Sequence, residues 1–176
     1  MKALSWKSNI KHAKLEYLIK ELDSAQEMSR GGITNRAVTT ASSITNEFNV
    51  IEKKDYWTNI TKKLPELNAM NLEVSVPSAM QVKIEDDNED DFTIIFEEIR
   101  VSLELEVLQT QYLVQILWMS YYLWLKNNAF RVGTKEQDSI SGPDMVKKLV
   151  QILLLNRESD KKIIDNIKES LLEWEE

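Results

Sequence analysis

Six carboxylates crowd into the seven residues 85–91, written EDDNEDD. A calcium loop of the EF-hand type alternates its ligands, places a glycine at its centre and ends on a distant bidentate glutamate. Here the acids run consecutively and no glycine interrupts them, so no metal site is expected. The run reads instead as an electrostatic handle. Asp86, Asp87, Glu89, Asp90 and Asp91 would steer a basic protein towards the chain, and such a cluster can imitate the phosphates that a nuclease recognises. The plainer alternative is a solvated loop whose last acids, Asp90 and Asp91, favour the start of the following element.

Other side chains with chemical capacity are few. His12 is the only histidine. It stands between Lys11 and Lys14 on a helical pattern, whereas a Ser–His–Asp arrangement needs its imidazole in a pocket beside a nucleophile. It reads as an exposed bystander. The pairs Glu97–Glu98 and Glu104–Glu106 have the functional groups for acid–base work, but nothing near them in sequence supplies a substrate pocket. The absence of cysteine removes thiolate metal sites, iron–sulfur clusters and cysteine nucleophiles. Gly31-Gly32, Gly133 and Gly142 punctuate helices and loops and form no phosphate-binding loop. No cofactor is expected.

Charge narrows the partner. The net charge is −7, and residues 1–20 carry +4 (five lysines against Glu16), leaving −11 for the rest. A body so acidic repels nucleic acid and anionic membranes and attracts basic proteins. Lys7, Lys11 and Lys14 near Trp6 are the sole candidate for a basic patch with an aromatic.

The elements that must position these groups are mostly helical. Hydrophobic residues make up 43% of the 176 positions, with only 4 Gly and 3 Pro, as in an ordered helical protein. At this length one domain, 1–176, is expected. Trp6, Ile10, Ala13 and Tyr17 recur at helical spacing within a first helix over 3–29, which Gly31-Gly32 would end. A second helix fits 35–49 through Ala37, Ala41, Ile44 and Phe48. A third fits 53–64 and stops at Pro65. Leu72, Val74 and Val76, then Met80, Val82 and Ile84, alternate around a Pro-containing turn and suggest a hairpin. Ile99, Val101, Leu103, Leu105 and Val107 alternate too, which favours a strand within 92–107. Phe92, Ile95, Phe96, Ile99 and Leu103 fit a helix as well. Ser141 and Pro143 open a tail helix, Ser159 caps another, and 131–142 reads as a loop.

Residues 107–125 run nineteen positions without a charge. Three glutamines in the run are costly in hydrocarbon, and the flanks show no positive-inside bias, so a membrane span is not expected. A helix apolar nearly all round is the centre of a helical domain. One sector differs: Gln111, Gln115, Trp118 and Tyr122 form a stripe of amides and aromatics. Aromatics carry binding energy at interfaces, so this stripe is a candidate partner face, with a locally covered core face as the alternative.

The expected fold is α+β and predominantly helical: a helical bundle with a small antiparallel β insertion near 72–107. An all-α bundle is the alternative. The start of the chain lacks the apolar block of a signal peptide, so a reducing cytoplasm is the expected setting. The features together suggest a non-enzymatic module that docks or neutralises a basic, toxin-like protein, as a bacterial immunity protein or antitoxin does to a toxin such as a nuclease. A structural or self-associating helical protein is the second reading, and a carboxylate-dependent enzyme the third.

Overall fold

The computed structural model describes residues 2–23 and 28–132. The chain divides into two compact units, Met1–Leu125 and Lys126–Glu176. The sheet and the described helices, but for the end of the last, lie in the first unit. The tail helices expected after residue 141, and the loop before them, lie outside the described residues.

The protein is predominantly helical with a two-stranded antiparallel sheet, as the composition and periodicity lead one to expect. One strand lies where expected, through Met80, Val82 and Ile84, but its partner does not. β1 is Lys2–Lys7 and β2 is Ala79–Ile84, in a register that pairs Leu4 with Val82 and Trp6 with Met80. Both strands alternate, and Leu4, Trp6, Met80, Val82 and Ile84 all point inward and are buried. The run Leu72–Val76 forms no strand. Leu4 and Trp6 offer β2 a larger inward surface than Leu72 and Val74 would, and Pro77 has no N–H to give a ladder.

The first helix therefore begins late. α1 is Ile10–Leu22, opened by Asn9, whose side chain accepts from the Lys11 and His12 amides at 3.0 and 3.3 Å. α2 is Arg30–Thr45. Gly31 and Gly32 do not end a helix; they lie in its first turn, where Ser29 accepts from the Gly32 amide at 3.1 Å. α3 is Val50–Lys63, with a capping box made by Asn49 and Glu52. Pro65 precedes the single-turn α4, Glu66–Ala69.

The segment read as a strand within 92–107 is mostly helix: α5 is Glu89–Ser102. Three acids occupy its first turn and Arg100 its last, the arrangement the helix dipole favours. Phe92, Ile95, Ile99 and Ser102 are buried along one face, while Val101 and Val107 are exposed, so the alternation through 99–107 had no buried side to serve. The helix closes with a Schellman arrangement. Glu104 adopts φ 55, its amide donates to the Val101 carbonyl, and the Leu105 amide donates to the Arg100 carbonyl, both at 3.0 Å.

α6, Thr110–Val132, contains the uncharged run. From Leu113 to Tyr122 every side chain is buried. Its polar groups reach neighbours on three sides. Trp118 Nε1 donates to Thr34 Oγ1 of α2 at 3.0 Å. Ser120 shares a 2.6 Å hydrogen bond with Tyr56 of α3, and the Gln111 carbonyl meets His12 of α1. Among the described residues no helix is long and apolar enough to cross a membrane.

Candidate functional site

The two halves of the expected partner surface end in different places. Gln115, Trp118 and Tyr122 are interior, and only Gln111 is half-exposed. The Trp118 ring stands edge-on to Trp6 and to His12, each at 6.2 Å between centroids. Burial pushes the Tyr122 phenol up to about 12. The amide–aromatic stripe is core, and the reading of it as a partner face is corrected. Trp6 of β1 and His12 of α1 cover it at Trp118. A sequence reading that gives those residues to one long helix leaves the stripe no cover.

His12 is corrected too. It is fully buried. Its Nδ1 accepts from the Asn9 amide at 3.3 Å and its Nε2 lies 3.0 Å from the Gln111 carbonyl, so the neutral imidazole carries its proton on Nε2. Burial lowers its pKa against the opposing pull of that carbonyl. The candidate basic patch also dissolves. Lys14 is buried, and its ammonium donates to the Leu67 and Met70 carbonyls at 2.8 and 2.7 Å. Those bonds tie α4 to α1. The signal was present, since Lys14 shares its stripe with Leu18 and Leu22.

The acids remain at the surface. Asp86 and Asp87 occupy a 3-10 turn, Asp86–Asn88, and Glu89, Asp90 and Asp91 form the first turn of α5. Asp86, Asp87 and Asp90 are exposed, and Glu89 and Asp91 half-buried. Asn35, a buried residue of α2, fixes this turn. Its Nδ2 donates to the Gly31 carbonyl at 2.9 Å and to the Lys83 carbonyl at 3.0 Å. Its Oδ1 accepts from the Glu85 amide at 3.0 Å and from Asn88 at 3.2 Å. Thr39 donates to the Asn88 side chain at 3.1 Å. Six like charges thus sit on a turn pinned by one fully satisfied amide. Asp87, Asp90 and Asp91 form no ion pair among the described residues.

Beside this turn lies a groove of about 700 Å³ between α3 and α5, formed by Val50, Lys53 and Lys54 on one side and by Thr93, Ile94, Glu97, Glu98, Val101, Ser102 and Glu104 on the other. Sequence reasoning missed it. Val50, Ile94 and Val101 are 78%, 58% and 55% exposed, an unusual concentration of bare aliphatic surface for two adjoining helices. Each of its charged residues has an ion-pair partner in the groove or beside it. Glu98 binds Lys53 at 2.6 Å and the Trp57 indole at 2.7 Å, Glu104 binds Lys54, and Glu97 binds Arg100. The hydrogen bonds and charges of Arg100 and Lys54 hold Glu97 and Glu104 below the usual carboxylate range. A general acid needs the opposite shift.

Among the described residues no group of three or more His, Cys, Asp or Glu side chains is arranged to hold a metal ion. No family model, curated protein or solved structure matches the chain.

Proposed function

We propose that this protein is a non-enzymatic binding module that docks or neutralises a basic protein, in the manner of a bacterial immunity protein or antitoxin acting on a toxin, in a reducing cytoplasm. The observation that carries the reading is the acidic turn held by Asn35. Charge that must reach a partner acts best from a fixed position, because no ordering is then needed at encounter. Residues 86–91 meet that condition, and three of the acids form no ion pair among the described residues. The absence of cysteine fits a cytoplasm, where disulfides rarely persist. Self-association through the α6 stripe loses its support, since those side chains are interior.

The test is kinetic. The full chain is immobilised, a native lysate is passed over it, and the retained protein is identified and purified. Expected is a protein rich in Lys and Arg whose association slows about tenfold or more at low salt when Asp86, Asp87, Asp90 and Asp91 are all changed to Asn. Dissociation should change little. At 1 M salt, where screening acts over about 3 Å, wild type and variant should converge. Retention of no basic protein, or equal association rates at low salt, would sink the reading.

A further inference from the structure

We infer that the groove between α3 and α5 seats one amphipathic helix of the partner, with its apolar ridge on Val50, Ile94 and Val101 and its basic residues at the end that meets Asp90. This inference rests on the proposed function and specifies the chemistry of the partner.

Three observations define the occupant. The first is shape. Ile94 and Val101 lie seven residues apart on α5, about 10 Å along the axis at 1.5 Å per residue. Side chains of two helices form the groove, and their backbone N–H and C=O groups are spent within those helices. An extended strand would find no main-chain partners there, whereas a helix laying residues i, i+4 and i+7 into an apolar furrow needs none. The second is the charge inside the groove. Lys53 and Lys54 are matched there by Glu98 and Glu104, and Glu97 is matched by Arg100 beside the groove. The occupant therefore meets a neutral floor, and a charge on its inward face would be desolvated without a counter-ion. The third is charge at the end. Asp90 falls four residues before Ile94 on the same face of α5, and Asp87 precedes it on the 3-10 turn, neither in an ion pair among the described residues. One end of the furrow is thus negative, and a Lys or Arg cluster on the occupant would find its complement there.

The probe is a fluorescein-labelled synthetic helix of leucine and lysine, with leucines at i, i+4 and i+7 and lysines grouped at one end. Two controls accompany it: the same composition scrambled, and the same ridge with glutamates replacing the lysines. Fluorescence anisotropy on the full chain should give saturable binding to the probe and at least about tenfold weaker binding to either control. Ile94→Asp and Val101→Asp should each weaken the probe by at least about tenfold, as loss of an anchor does. Both positions are exposed, so thermal unfolding should stay at the wild-type midpoint. Asp90→Asn should weaken binding several-fold at low salt and not at 1 M.

The inference is overturned if Ile94→Asp binds the probe as wild type does, or if the glutamate control binds equally. A sedimentation profile showing a dimer that Ile94→Asp dissociates would make the groove a contact between copies, and would overturn it also. Its failure is distinct from that of the broader reading. A retained basic partner whose association depends on the acidic turn, but is untouched by Ile94→Asp, leaves the docking function standing and removes the groove from it.

Discussion

The α6 stripe and the α5 face each carry large side chains at helical spacing and meet opposite fates. Trp118 and Tyr122 are one turn apart on α6 and buried. Ile94 and Val101 are two turns apart on α5 and largely bare. Periodicity identifies a face that is apolar; what covers that face is a matter of distant chain. β1 and α1 bring Trp6 and His12 onto the stripe across about a hundred residues of sequence. Nothing described comes onto Val50, Ile94 and Val101 in the same way. Aromatic content pointed to the wrong surface because aromatics serve cores as readily as interfaces.

The largest expected effect separates the two regions directly. Trp118→Ala removes a fully buried indole that also donates to Thr34, and should cost about 3–5 kcal/mol in denaturant unfolding. Ile94→Asp, on the exposed face, should leave the midpoint near that of wild type. A Trp118→Ala variant as stable as wild type would mean the stripe is not core, and would return it to consideration as an interface.

Much of the fold was legible where a local signal decides it. Pro65 marks the end of α3, the apolar run gives a central helix, and Met80, Val82 and Ile84 give β2. The errors share one cause: the deciding partner lay far off in sequence. β2 pairs with residues 2–7 and not with its neighbour, so β1 was taken for helix and both the stripe and His12 seemed uncovered. The strand misreading near 92–107 had a local remedy, since three acids before an apolar period and a turn at Glu104 are helix signals. Of the candidate site, the acids could be read directly, as charge needs no context to be seen. Asn35 could not, because one asparagine in a helix says nothing of the loop it will hold. The groove depends on two helices meeting, and Val50 alone does not announce it.

The second prediction concerns how firmly the surviving half of the site is held. Asn35→Ala leaves the Glu85 amide, the Lys83 carbonyl and the Asn88 amide without their buried partner. The expected cost is about 1–3 kcal/mol in global stability. Hydrogen exchange should accelerate at the Glu85 amide, with little change in α6. Exchange as slow as in wild type would show that the acidic turn is set by its own sequence, and the contrast between a pinned turn and a solvated one would collapse.

The smallest effect is a pH dependence in the covered region, and its sign follows from His12. The imidazole accepts from Asn9 on Nδ1 and donates to Gln111 through Nε2; a second proton would turn the Nδ1 acceptor into a donor facing another donor. Among the described residues no carboxylate bonds the ring to hold that charge: Trp6 and Trp118 flank it, Lys7 lies on β1, Lys11, Lys14 and the ion-paired Glu16 lie on its own helix, and residues 110–125 of α6 carry no charge. Burial places the folded pKa below the unfolded value of 6.5. Above pH 6.5 neither state binds the proton and this group contributes no slope. Below it the unfolded chain takes up a proton that the folded chain refuses, so stability falls by up to about 1.4 kcal/mol per pH unit until the folded pKa is reached. Glu16 responds in a lower window. Burial raises its pKa, but Lys20 and Arg30 outweigh that and hold it below 4.5, so its contribution is lost only as pH falls through the acid range. Denaturant unfolding of wild type should therefore weaken as pH falls below 6.5, a slope of the sign that linkage requires for a buried neutral histidine. His12→Gln should be less stable at neutral pH, having lost the ring packed between Trp6 and Trp118, yet show no such fall below pH 6.5. If the variant keeps the wild-type slope, the imidazole is reached by water and β1 does not seal the stripe.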